Sequence, residues 1–422
     1  MPATRIEYGR TGLRLETGNR PVEVLRPRYP APHPDEAAAF RHAAAKPFGG
    51  GPPLCERVRP DERLAVVIPD ITRALPTERL LGWLFGELAH VPRENITIIS
   101  GTGTHRANTT EEWLAMVGEP IHRTFRCLDH RCDDEASLAL AGESPFGYAV
   151  HFNRAYVEAD RRVIMGFIEP HFMAGFSGGY KAVLPGIADV DAIMRYHSAA
   201  NIGHSRSSWG VLEGNPTQEH IRAGGALLPV DFCVNVTLDN ELRITGFFCG
   251  DVLPAHEAGC AFCRETAMVP CERPFPVVVT SNSGYPLDQN LYQCVKGMSA
   301  AAQIVEPGGQ ILMAGACNDG FPEHGNFKRL LYEHDSPRAL LDTILAPGFH
   351  CCDQWQVQIL ADILLRARVG LYSGLAADAV RRAHLEPVEN LSTAFRTAGD
   401  SLPEDAPFAI LPEGPLTIPY LS

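Results

Sequence analysis

Short apolar runs alternate with stretches of helical periodicity along most of the chain. Residues 64–68, 96–99 and 161–168 are short, mainly apolar segments, the last through Val163, Ile164, Met165, Phe167 and Ile168, the pattern of parallel strands buried on both faces. Behind the first run, Leu80, Leu81, Leu84, Phe85 and Leu88 recur at helical spacing, with Thr77 as the expected N-cap. Behind the second, Thr109 or Thr110 caps a helix opening EEWLAMV, whose Glu111 and Glu112 suit the positive end of the helix dipole. A helix is expected from Thr217. Alternation on both sides of Asp239-Asn240 predicts a hairpin, and residues 255–268 predict a helix. Residues 271–274 look like a linker. Further strands are expected at 276–280, 310–315, 368–372 and 408–411, and helices near 289–305, 327–334, 337–346 and 354–367. Residues 1–60 are rich in Pro and Arg and offer only RIEYG, LRLE and PVEVLRP as edge-strand candidates.

This order predicts an α/β protein of two α/β domains with mainly parallel sheets and a cleft between them. The first is expected over residues 1–272 and the second over 275–422, with the last residues free to pack back on the first domain. No internal repeat or low-complexity tract interrupts the pattern.

Composition narrows the class only slightly. Hydrophobic residues at 45% and charged residues at 21% suit an ordinary soluble enzyme. A formal charge of −13 speaks against nucleic-acid binding. The start MPATRIEYGR lacks a secretory pattern and no apolar run reaches membrane-spanning length, so a cytoplasmic protein with no membrane partner is expected. Twelve cysteines scattered over 422 residues do not form a disulfide framework. Cys260 and Cys263 make a CxxC, with Cys271 nearby. A zinc or redox role would need a second such pair; otherwise they are free thiols near the domain junction.

Candidate chemistry gathers at strand ends. Asp70 and Arg73 follow the first run. GTGTHR, with Thr102, Gly103 and His105, follows the second. The third leads into EPHFMAGFSGGYKAVLPGIADVDAIMRYH, which holds His171, Gly175, Gly178, Gly179, Lys181 and His197. Ligands of open α/β sheets bind beyond the carboxyl ends of the strands, so these residues converge if the strands are parallel neighbours. GTGTHR is a candidate anion cradle at a helix start. It is not a P-loop, SGGYK lacks the hydroxyl that follows a P-loop lysine, and no GxGxxG is present, which removes support for kinase and ordinary dehydrogenase readings. Arg73 could grip a carboxylate with two N–H groups. Gln293 and Lys296, three apart, share one helix face.

GTGTHR, the EPHFMAGFSGGYKAVLPGI stretch, His197 and the YQCVK helix together resemble the nickel-pincer lactate racemase family, over roughly residues 60–360. The resemblance implies a 2-hydroxy-acid racemase or epimerase that works by hydride transfer through a 2-keto acid. Its implied cofactor is a nickel-pincer nucleotide joined covalently to Lys181, with His197 as nickel ligand. His105 and His171 would be paired acid/base residues. Asp70, Thr102, Gly103, Gly178 and Gly179 would lie against the cofactor, and Arg73, Tyr292, Gln293, Lys296 and Trp355 against the substrate. Implied partners are a small 2-hydroxy carboxylate and the proteins that make the cofactor. Phe172, Met173 and Phe321 are candidates for shaping the pocket. The competing readings are a zinc hydrolase built on the histidines and a non-catalytic nickel or nucleotide carrier.

Overall fold

The computed structural model describes residues 2–322 and 325–422. Glu323 and His324, in the ACNDGFPEHG loop expected after residue 315, lie outside the described residues.

The apolar runs become neighbouring strands of a six-stranded sheet. Its order is Ile244–Gly250, Phe232–Leu238, Arg161–Phe167, Leu64–Pro69, Ile96–Gly101 and Arg126–Asp129. All pairings are parallel except that of the Ile244–Gly250 edge with Phe232–Leu238, the expected hairpin. Arg161–Phe167, Leu64–Pro69 and Ile96–Gly101 are consecutive in this order, so their carboxyl ends open side by side. The interior is apolar on both faces: Val66, Ile68, Ile98, Val163 and Met165 pack one way, Ala65, Val67, Ile99 and Ile164 the other.

A second six-stranded, all-parallel sheet runs Glu386–Pro387, Arg368–Tyr372, Val305–Ala314, Phe275–Ser281, Phe408–Leu411 and Val22–Val24. Its last strand corrects the expected boundary. Residues 22–24, placed with the first domain by sequence order, form the edge of the second sheet instead. Backbone bonds from Glu7 N to Pro412 O (3.1 Å) and Leu25 N to Ile410 O (2.9 Å) hold the same segment there. The expected linker is partly a strand too: Met268–Cys271 pairs with Ile418–Leu421. Too few apolar residues mark Val22–Val24 for its sheet to be legible; pairing with a buried neighbour supplies what its own pattern lacks.

Smaller differences have local causes. The helix Thr77–Glu87 starts one residue early, with Pro76 before it and no side-chain cap, while the Thr77 hydroxyl donates to Leu75 O. Thr109 does cap Thr110–Val117, through a reciprocal pair with Glu112. The hairpin Leu138–Ser144/Tyr148–Asn153 and the helix Glu36–Ala45 were not expected. Among the described residues no helix is long and apolar enough to cross a membrane.

Candidate active site

The three adjacent strand ends, the loop after the third, and two helices of the second sheet enclose a cavity of about 160 Å³. The helix Leu291–Ala302 delivers Tyr292, Gln293 and Lys296 to it, and Gln354–Arg366 delivers Trp355 and Gln356. Asp70, Arg73, Thr102, Gly103, His105, His171, Gly178, Lys181 and His197 line the opposite walls. Phe172 and Met173 also face it.

Two expected residues do not. Gly179 lies behind the wall, and a Cβ there would come within 2.8 Å of the His256 ring; its N–H binds Asn235 Oδ1 at 3.1 Å. Gly178 reaches the cavity, yet a Cβ on it would meet Ile168 and Asn235 at 2.8 and 2.9 Å. These glycines allow close packing behind the loop rather than making room for a ligand. Phe321 packs on Phe327 and Tyr332, away from the cavity.

The histidines present different atoms. His105 Nδ1 lies 2.8 Å from Asp70 Oδ2, so that nitrogen carries the proton and Nε2 keeps its lone pair. Asp70 is buried and also accepts from the Thr72 hydroxyl at 2.7 Å. Burial pushes its carboxyl upward, but its interaction with His105, the Arg73 charge and the Thr72 hydroxyl prevail and hold it below the usual range. His171 is arranged the other way. Its Nδ1 accepts from the N–H groups of Met173 (3.3 Å) and Ala174 (3.1 Å), which leaves the proton on Nε2. Burial first, then the cations Lys181, Lys296 and Arg73, hold it neutral, well below its ordinary pKa.

His197 caps the helix Val190–Tyr196. Its Nδ1 donates to Ile193 O at 3.1 Å, and its ring stacks on Trp355 with centroids 4.2 Å apart. Nε2 is therefore an available neutral donor atom, and burial keeps the ring unprotonated. Trp355 is in turn fixed by a 2.9 Å bond from its indole N–H to the Tyr292 hydroxyl.

Four charged side chains on the wall, Arg73, Lys181, Lys296 and Glu169, make no side-chain hydrogen bond or ion pair among the described residues. Sequence reasoning missed Glu169, although it opens the EPHF motif; a carboxylate beside the anchors of an anion had no evident purpose. Burial and the neighbouring Arg73 push Lys181 down to about 7, and the same two causes bring Lys296 to about 7, with Glu169 opposing in both cases. These shifts make a stability prediction. From about pH 7 to 9 the folded chain binds fewer protons at the two lysines than the unfolded chain, so its stability should rise with pH in this window. Above about pH 9 buried cysteines with raised pKa reverse the slope. Denaturant midpoints of cofactor-free protein should show the rise, and Lys181→Ala or Lys296→Ala should each flatten it.

The CxxC is part of the core. Cys260 and Cys263 are buried on the helix Val252–Ala267, and all twelve cysteines are free. Among the described residues no three His, Cys, Asp or Glu side chains are grouped to hold a metal ion.

Residues 8–210 match the lactate racemase N-terminal domain and residues 271–418 the lactate racemase C-terminal domain. The chain is 32% identical to the lactate racemase of Thermoanaerobacterium thermosaccharolyticum over 421 residues, 98% of each chain. It is 35% identical to that of Lactiplantibacillus plantarum over 372 residues, 86% of this chain and 87% of the relative. The solved lactate racemase apoprotein from T. thermosaccharolyticum superposes with a TM-score of 0.91, covering 99% of this chain and all of the other. A Thermotoga maritima protein of 20% identity shares the fold with a TM-score of 0.68, over 86% of this chain and 94% of its own.

Proposed function

This chain belongs to the lactate racemase family and is an isomerase, and from that premise we propose that it inverts C2 of lactate or a closely similar 2-hydroxy acid. One observation carries the reading. A single cavity offers a proton-accepting histidine, a proton-donating histidine and two cations with no protein partner.

The C2 proton of such an acid is very weakly acidic, because a carboxylate beside it opposes a second negative charge. Removing the hydrogen with its electron pair avoids that charge. Arg73 and Lys296 hold the substrate carboxylate, Arg73 through its planar fork. His105 Nε2 takes the hydroxyl proton, and the buried Asp70 carboxylate stabilises the imidazolium that results. C2 becomes a planar carbonyl, which turns about the anchored carboxylate and offers its other face. His171 Nε2–H donates a hydrogen bond to the returning oxygen, and to pass that proton on without becoming an imidazolate the ring must take up a second proton at Nδ1, in place of the Met173 and Ala174 amide bonds. For the opposite enantiomer the two exchange roles, and His171 must then move its proton to Nδ1 and release the Met173 and Ala174 amides.

The residues fit the cofactor that the sequence implies. His197 Nε2, with its Nδ1 held by Ile193 O, would be the protein ligand to the nickel of such a group. Lys181, unpartnered and near neutrality, is suited to the covalent link. When bound, the group would supply electron-poor character as an acceptor for the C2 hydrogen. Cofactor-making proteins are the partners this arrangement requires.

A zinc hydrolase would need three side chains converging on the metal, which the described residues lack. A carrier would have no use for the Asp70–His105 pair. The test is chain co-produced with cofactor-making enzymes and given L-lactate in heavy water. D-lactate should appear with its C2 protium retained. Deuterium at C2 would refute the route, and absence of turnover on lactate would refute the substrate.

A further inference from the structure

Glu169 is unused in the chemistry above. Its backbone is fixed: its N–H binds Ser177 Oγ at 3.0 Å and its carbonyl accepts from Ser177 N at 2.9 Å, closing the small ladder Pro170–His171/Gly175–Phe176. Its carboxylate stands between two cavities. On one side are Arg73, Lys181 and Lys296 of the active site. On the other is a second cavity of about 470 Å³, which shares Glu169 and Arg73 and is lined by Tyr29 and Cys263.

A bare carboxylate beside the anchors of an anionic substrate looks counterproductive, since it repels what they attract. The charge count explains it. Arg73, Lys181 and Lys296 are three potential cations lining one cavity, with no side-chain hydrogen bond or ion pair among the described residues. Acylation of Lys181 removes one. Arg73 and Lys296 then remain, and without an anion nearby the ammonium, which can shed its proton where a guanidinium cannot, would do so. Burial first and then Arg73 depress Lys296, Lys181 adds to this, and Glu169 and Asp70 oppose it. Burial raises Glu169 above the ordinary carboxylate range, and Arg73, Lys296 and Lys181 oppose that rise only in part. With Glu169 ionised and the substrate carboxylate in place, two cations face two anions.

We propose that Glu169 is a positioning residue that keeps Lys296 in its ammonium form for the substrate carboxylate. The role rests on the reading of Arg73 and Lys296 as carboxylate anchors. It also makes Glu169, rather than the anchors alone, the setting for how substrate affinity falls at alkaline pH.

The experiment compares wild type, Glu169→Gln and Glu169→Asp in two ways. Competitive acetylation with acetic anhydride, read by peptide mass spectrometry on cofactor-free chain, follows the titration of Lys296 without any substrate. In holoenzyme, KM and kcat for lactate are measured from about pH 6 to about pH 8. Glu169→Gln should lower the Lys296 titration by about one pH unit, raising KM about tenfold near pH 8 and less than about twofold near pH 6. KM should change more than kcat, and Glu169→Asp should restore both readouts in part. An unshifted Lys296 titration in a folded Glu169→Gln chain overturns the proposal, as does an equal rise of KM at every pH, the mark of a merely structural role. If lactate is not turned over by wild type, the substrate reading fails alone, because the acetylation arm still decides for or against Glu169.

Discussion

Replacing Lys181 by arginine is expected to abolish the covalent adduct and to reduce racemisation by more than about a thousandfold, to near the uncatalysed rate. The argument begins with the amine. An ordinary lysine at neutral pH is unprotonated in only about one molecule in a few thousand. Burial and the adjacent Arg73 bring Lys181 to about 7, so a large fraction of its amine is nucleophilic where other lysines are ammonium ions. It sits on the short turn Gly179–Ala182, whose backbone is pinned by the Gly179–Asn235 bond, and faces the same cavity as His197. Arginine keeps a cation in place but cannot be acylated at this acidity, which separates loss of the tether from loss of fold. Intact-mass spectrometry of chain made beside the cofactor-producing enzymes supplies the readout. Wild type should carry an added mass that maps to the Lys181 peptide, and Lys181→Arg should not. An adduct elsewhere, or full activity in Lys181→Arg, would remove Lys181 from this role. The rate of tethering should rise with pH and level off above about 7, since only the neutral amine attacks.

The parts of this site that were legible in the sequence share a cause. Strands buried on both faces must be apolar throughout, so Leu64–Pro69, Ile96–Gly101 and Arg161–Phe167 announced themselves, and with them the polar residues just past their ends. Asp70, His105 and His171 converge because those three strands are neighbours. What could not be read depends on partners distant in sequence. Val22–Val24 is the edge strand its sequence suggested, but its place in the second sheet is set by Phe408–Leu411, far along the chain. Gly179 looked like part of a ligand loop; only His256, seventy-seven residues on, shows that its missing side chain serves packing. The difference between the two histidines was equally hidden. A sequence says that an imidazole is present, but not which nitrogen faces an amide and which a carboxylate.

That difference leads to the second large effect, a stereochemical one. His105→Ala and His171→Ala should each reduce racemisation by about a hundred- to ten-thousandfold, the usual worth of a positioned acid or base. Racemisation alone cannot tell the two apart, because either loss interrupts the full cycle. A single turnover can. Each enantiomer directs its hydroxyl at one histidine, so formation of the 2-oxo acid in one turnover needs only the base on that side. His105→Ala should lose it from one enantiomer and keep much of it from the other, and His171→Ala should show the reverse preference. Equal loss from both enantiomers in either variant would mean that the histidine acts on the cavity as a whole rather than on one hydroxyl. The structure adds an inequality. His105 needs no rearrangement to accept a proton, while His171 must first give up the Met173 and Ala174 amides, so in wild type the turnover that begins at His105 should be the faster of the two. Asp70→Asn should remove that advantage, because the amide that replaces the carboxylate no longer stabilises the His105 imidazolium. It should leave the turnover that begins at His171 almost unchanged.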